Sequence, residues 1–192
     1  MNENQVILIF KKNSKSKNQR FYLYSADEES LIFVAEKQPD HEWIISQDSV
    51  NLNKTNDYFV GILMKAKQNQ SKNISPSLSN TYIGIINNQE IVRVRKIDNY
   101  LQNYNISFLN DQNNFGNDKN KVDSNFIECL TQLNQESYFT QSFSFKYDDK
   151  ICLSLEFGEK NEYVIKYSEP INCFKAFCSA ISIILISMKQ NK

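Results

Sequence analysis

His41 is the one histidine in the chain, and it lies in the polar run Gln38-Pro39-Asp40-His41-Glu42. A histidine-based hydrolase needs a nucleophile beside the imidazole and a carboxylate behind it. No serine or cysteine stands in a recognisable nucleophile motif. The four cysteines, Cys129, Cys152, Cys173 and Cys178, are dispersed without a CxxC spacing, so with a single histidine they form no zinc-ligand pattern. Lying in or beside apolar runs, they read as reduced thiols of a core. Asp27, Glu28 and Glu29, and again Asp148 and Asp149, are adjacent carboxylates where a hairpin should turn, and solvation accounts for them better than paired acid–base chemistry. The expectation is a non-enzyme that needs no cofactor and no metal.

Cations that could meet an anion fall in three places. Lys11, Lys12, Lys15, Lys17 and Arg20 form the densest basic run; it reads as a solvated hairpin tip, with a weak contact to anionic lipid or an acidic partner as the alternative. Arg93 and Arg95 share one strand face, as do Lys65 and Lys67 if their strand continues. Across the whole chain 22 Lys+Arg balance 22 Asp+Glu. No bulk positive field exists to attract nucleic acid, so none is expected as a partner. Gly61, Gly84, Gly116 and Gly158 stand far apart with no GxG, which excludes a Gly-rich phosphate loop.

The elements that must position these groups fit one domain, 1–192, of which 41% is hydrophobic, enough for a core. Short runs rich in β-branched and aromatic residues predict strands at 6–10, 20–25, 30–36, 42–46, 57–64, 81–86, 90–97, 136–147, 151–157 and 162–167. Polar stretches at 65–80 and 110–125 predict loops. Phe126, Ile127, Leu130 and Leu133 recur at helical spacing, so one or two amphipathic turns are expected at 126–133. Pro170 opens INCFKAFCSAISIILISM, 171–188, apolar nearly all round, which predicts a helix with proline in its first turn. Lys175, Asn172, Ser179, Ser182 and Ser187 make a poor lipid-facing surface, so a core helix is expected rather than a transmembrane span. The acidic and amide residues ahead of the first apolar run reverse the order of a secretory signal, and an intracellular, cytoplasmic setting is expected. Asn-x-Ser/Thr triplets at Asn53, Asn73 and Asn105 then carry no glycan.

Phe157, Gly158, Tyr167, Pro170, Ala176 and Phe177 follow one another as a strand ending in Phe-Gly, a short strand, an aromatic-x-x-Pro step and a helix with Ala-Phe early in it. This order is similar to the closing signature of the tubby C-terminal domain. Upstream, RFYLYSADEESLIFVAEK at 20–37 and EWIISQDSVNLNKTNDYFVG at 42–61 resemble that family's early hairpin and the segment after it. The resemblance covers about half the chain, at its start and end, and the chain is shorter than the usual domain. It implies a mainly β fold, a closed antiparallel β-barrel threaded by an apolar central helix, with Trp43 and Tyr58 as barrel residues.

Tubby-like domains bind phosphoinositide headgroups through a basic pair just after Tyr-Ile-Gly, at i and i+2, with an Asn on the preceding strand. Two cations on one face can meet a doubly phosphorylated ring. The matching positions here hold Ile62 and Met64, with Glu42 in place of the Asn. Both charges are gone and a carboxylate stands where phosphate would approach. Lys65 and Lys67 keep the spacing but fall on the opposite strand face, unless a bulge turns them. The reading is therefore a tubby-like protein-interaction or structural subunit with protein partners. The resemblance makes a ciliary or other large assembly its setting. The alternative is a phosphoinositide-binding membrane adaptor with a relocated basic site at Lys65, Lys67 and the 11–20 run.

Overall fold

The computed structural model describes residues 4–12, 19–66, 81–97, 104–109, 126–134, 142–158 and 162–188; for 10–12, 126 and 130–134 it describes the backbone alone. Alternation builds the strands. Along Gln19–Ser25, Phe21 and Leu23 are fully buried while Tyr22 and Tyr24 point the other way, their rings stacked 6.3 Å apart. Successive side chains on a strand point to opposite faces, so such a run presents one apolar face and one polar face. Twelve strands form: β1 Asn4–Lys12, β2 Gln19–Ser25, β3 Leu31–Lys37, β4 Trp43–Ser46, β5 Phe59–Lys65 and β6 Thr81–Ile86. They continue as β7 Gln89–Lys96, β8 Tyr104–Leu109, β9 Phe126–Asn134, β10 Ser142–Tyr147, β11 Lys150–Phe157 and β12 Glu162–Tyr167, and α1 Cys173–Ser187 follows.

Each strand pairs antiparallel with its chain neighbours, and β12 returns to β1 (Val6 opposite Ile165, Leu8 opposite Tyr163), closing the barrel. Every strand thus has a partner on both sides. Two connections are two-residue turns: Ile86 faces Gln89 across Asn87-Asn88, and Tyr147 faces Lys150 across Asp148-Asp149. All four turn residues have positive φ, between 50° and 63°. Asn and Asp tolerate that left-handed backbone, which two-residue hairpins of this twist demand.

α1 is buried at 12 of its 15 residues. Asn172 caps it, its side-chain oxygen accepting the Lys175 N–H at 3.0 Å. Two contacts fix its direction beside β8. Lys175 Nζ donates to the Leu109 carbonyl at 2.8 Å, and Tyr104 Oη meets Ser187 Oγ at 2.9 Å. The helix rises about 18 Å between Lys175 and Ser187, and β8 spans about 17 Å from Tyr104 to Leu109. The two elements therefore run antiparallel with their ends matched. Phe174 and Phe177 pack on Phe33 of β3, with ring centroids 6.4 and 5.7 Å away. A Cβ on Gly61 would sit 3.0 Å from Phe174 Cζ, and one on Gly84 would sit 3.0 Å from Cys178 Sγ. Glycine at these positions clears the helix and, more tightly still, the neighbouring strands: a Cβ would run into the Ile85 carbonyl at position 61 and would lie 2.7 Å from Val92 Cγ1 at position 84. Among the described residues no helix is long and apolar enough to cross a membrane.

Several expectations are corrected. Residues 126–134 are strand β9, paired with β8 on one side and β10 on the other. Ile127 and Cys129 turn to the core and Glu128 outward. The helical spacing loses because a helix would leave the facing N–H and C=O groups of β8 and β10 unpaired. YNISFL at 104–109, for which no strand was expected, is β8, with Tyr104, Ile106 and Phe108 fully buried. Pro170 precedes the N-cap instead of opening the helix, which starts at Cys173. Lys65 ends β5 instead of beginning a loop, and Lys11, Lys12 and Arg20 belong to the paired part of the β1–β2 hairpin, Lys11 opposite Arg20. Tyr58 lies before β5 and is 58% exposed, so it is no part of the barrel wall. Trp43 is buried against Phe21, 5.2 Å between ring centroids. The expected loop at 110–125, most of that at 65–80, and the strand residues 136–141 lie outside the described residues.

Candidate functional site

β4, β5 and β6 each alternate, and the packing of Gly61 and Gly84 against α1 identifies their core-facing positions. On β5, Gly61 and Leu63 face the core, so Ile62 and Met64 face outward. On β6, Gly84 faces the core, leaving Ile83 and Ile85 outward. The register brings the four together: Ile62 opposite Ile85, and Met64 opposite Ile83. Ile44 of β4, opposite Ile62, is buried and bounds the patch. All but Ile44 are half-buried. This is an aliphatic surface, and Ile62 and Met64, the positions singled out by the resemblance, belong to it.

Glu42 stands one residue before β4. The antiparallel count that pairs Trp43 with Leu63 carries it to the level of Met64. It is not the bare carboxylate expected from sequence: Lys54 Nζ lies 2.6 Å from its Oε2. Donation to Glu42 raises the Lys54 pKa, since a hydrogen bond to the charged form favours it. Lys54 comes from the connection between β4 and β5, which its own polar side chains hold in shape. Asp48 accepts from the Val50 N–H at 2.8 Å and from the Asn56 amide at 3.3 Å, and Asn56 Nδ2 also donates to the Asn51 carbonyl at 2.6 Å. No local sequence signal announces the Glu42–Lys54 pair, because it joins residues of a connection to a strand end through the loop's course.

On the other flank, Arg93 and Arg95 point outward from β7 while Val92 and Val94 are buried. Arg93 is opposite Ile83 and binds Glu90 through two nitrogens, at 2.8 and 2.9 Å. Arg95 is exposed. A bulge between Gly84 and Ile85 leaves Ile91 without a partner and turns it toward the core, although strict alternation would put it on the outward face of Arg93 and Arg95.

The other cations sit elsewhere. Lys65 alternates with Met64, so it lies on the opposite strand face from Ile62 and Met64, at the exposed end of β5. Lys67, Lys15 and Lys17 lie outside the described residues, as do the side chains of Lys11 and Lys12. Arg20 binds Glu36 and donates to the Ser49 carbonyl at 3.1 Å. Burial pulls its pKa down, and the Tyr22 and Glu36 contacts more than offset that. His41 is an exposed turn residue with φ 70°. Cys129 and Cys152 are buried with their sulfurs 3.6 Å apart, and the Cys129 thiol holds the Cys152 pKa down. Among the described residues no three His, Cys, Asp or Glu side chains gather as a metal site would require.

No protein-family profile matches the chain, and no curated protein matches it.

Proposed function

We propose that this chain is a non-catalytic, tubby-like module that works by protein contact, as an interaction or structural subunit of a larger assembly, including a ciliary one. In this reading α1 is the central filling of the barrel. Two observations support that placement: α1 is buried nearly all round, and it touches β3, β5, β6, β7, β8 and β12. A twelve-stranded barrel is wider than its own side chains fill, and an apolar helix supplies the missing volume.

The observation that carries the contact role is the outward aliphatic patch of Ile62, Met64, Ile83 and Ile85. A phosphoinositide pocket needs cations there, and the patch offers none. Apolar groups half in water gain by docking against a partner's apolar groups, at about 25 cal/mol for each Å² removed from water. Flotation of the full chain with vesicles that contain phosphoinositides tests the reading. The expected result is no headgroup-selective binding. Tight, selective binding would overturn it. The double change Ile62→Lys with Met64→Arg is the converse test, and gain of vesicle binding would indicate a pocket that has lost only its charges.

A further inference from the structure

We infer that the β4–β7 face docks a second copy of this chain. The inference rests on the protein-contact reading and names the partner. One row of outward residues crosses four strands at the same level: Glu42, Met64, Ile83 and Arg93. It runs from an acid through two apolar groups to a base. A two-fold axis lying in the contact plane and parallel to the strands would set Glu42 of each copy over Arg93 of the other. The same operation sets Met64 against Ile83 twice. Such a row is its own complement, which is the condition a two-fold interface imposes.

The second row runs from the buried Ile44 through the half-buried Ile62 and Ile85 to Glu90, and its two middle isoleucines thicken the centre of the contact. The charges at the two ends are already held in place, Glu42 by Lys54 and Arg93 by Glu90, so little side-chain order is lost on docking. Arg95, exposed beside Arg93, adds a positive charge to the end that meets the acidic end of the other copy. The patch is small beside the roughly 800 Å² per partner of a standard interface. Association is therefore weak, with Kd on the order of 10–100 µM.

Sedimentation of the full chain over a broad concentration range reads the association directly. The expected result is a reversible monomer–dimer equilibrium, weakened at least about tenfold by Ile83→Glu or by Met64→Lys. Both positions face outward, and an unchanged unfolding curve establishes that each variant folds. Glu42→Lys alone and Arg93→Glu alone each weaken self-association, because like charges then face each other at both ends. An equimolar mixture of these two variants restores wild-type affinity, since every facing pair is again opposite in sign. A monomer at all concentrations overturns the inference. So does a dimer indifferent to Ile83→Glu and Met64→Lys, or a mixture no tighter than its components. Headgroup-selective vesicle binding would instead overturn the underlying contact reading, whatever the state of association.

Discussion

Tyr104 Oη and Ser187 Oγ lie 2.9 Å apart, joining the first residue of β8 to the last residue of α1 across 83 positions of sequence. With Lys175 Nζ on the Leu109 carbonyl at the far end, β8 holds the helix at both ends. Tyr104 is fully buried, so its hydroxyl needs a partner that water does not supply. Tyr104→Phe and Ser187→Ala should each cost about 0.5–1.5 kcal/mol in urea unfolding. The double variant should cost less than the two single losses added together. Strict additivity would show that the two hydroxyls do not support each other.

Lys175 separates the value of an ammonium from that of its stem. The residue is 1% exposed, and its Nζ also sits 5.5 Å from the centre of the Phe108 ring. Lys175→Met keeps the volume and deprives the Leu109 carbonyl of its donor, a loss of about 1–3 kcal/mol. Lys175→Ala removes the stem as well and should cost about 2–5 kcal/mol. A stabilised Lys175→Met would mean that taking the charge out of water costs more than its contacts return.

Gly84 is a packing prediction. A Cβ there would meet Val92 Cγ1 at 2.7 Å and Cys178 Sγ at 3.0 Å, both in a closed core. Gly84→Ala should lose about 1–3 kcal/mol by overpacking. Adding Cys178→Ala should return part of that loss, although Cys178→Ala is itself destabilising. No recovery in the double variant would place the strain at Val92 alone.

Acid sensitivity should trace in part to the β4–β5 connection. The Val50 N–H and the Asn56 amide favour the charged form of Asp48 and hold its pKa low; Ser25 does the same for Asp27. A carboxyl whose folded pKa is depressed contributes stability that is fully present above the unfolded value, about pH 4. That stability is lost as pH falls through the lower folded value. Urea midpoints taken at pH 7 and near pH 3 should therefore drop less in Asp48→Asn than in the wild type. An equal drop would show that Asp48 is not coupled to folding.

The strands most legible in the sequence are those with strong alternation and clear punctuation. TYIGII and EYVIKY coincide with β6 and β12 at both ends. Those missed are the polar ones. In β8, Asn105 and Ser107 interrupt the apolar run, yet Tyr104, Ile106 and Phe108 keep the period of two that would have identified it. β9 carries two periods at once, and the decision between them lies in β8 and β10, which local sequence cannot see. Ile62 and Met64 were legible as uncharged residues on one strand face. Their place in an aliphatic patch was not, because Ile83 and Ile85 come from another strand whose register a single sequence does not reveal.

The pairing of β1 with β12 also constrains when the protein can become itself. Ribosomes release the chain from its N-terminus, so β1 waits through the synthesis of every other strand before its partner appears, and α1 emerges later still. Until then the growing sheet has two open edges and an unfilled apolar face. Such a nascent chain is a natural client for chaperones and is exposed to pairing with its own neighbours on a polysome. Closure of the barrel here waits until both β1 and β12 have been made.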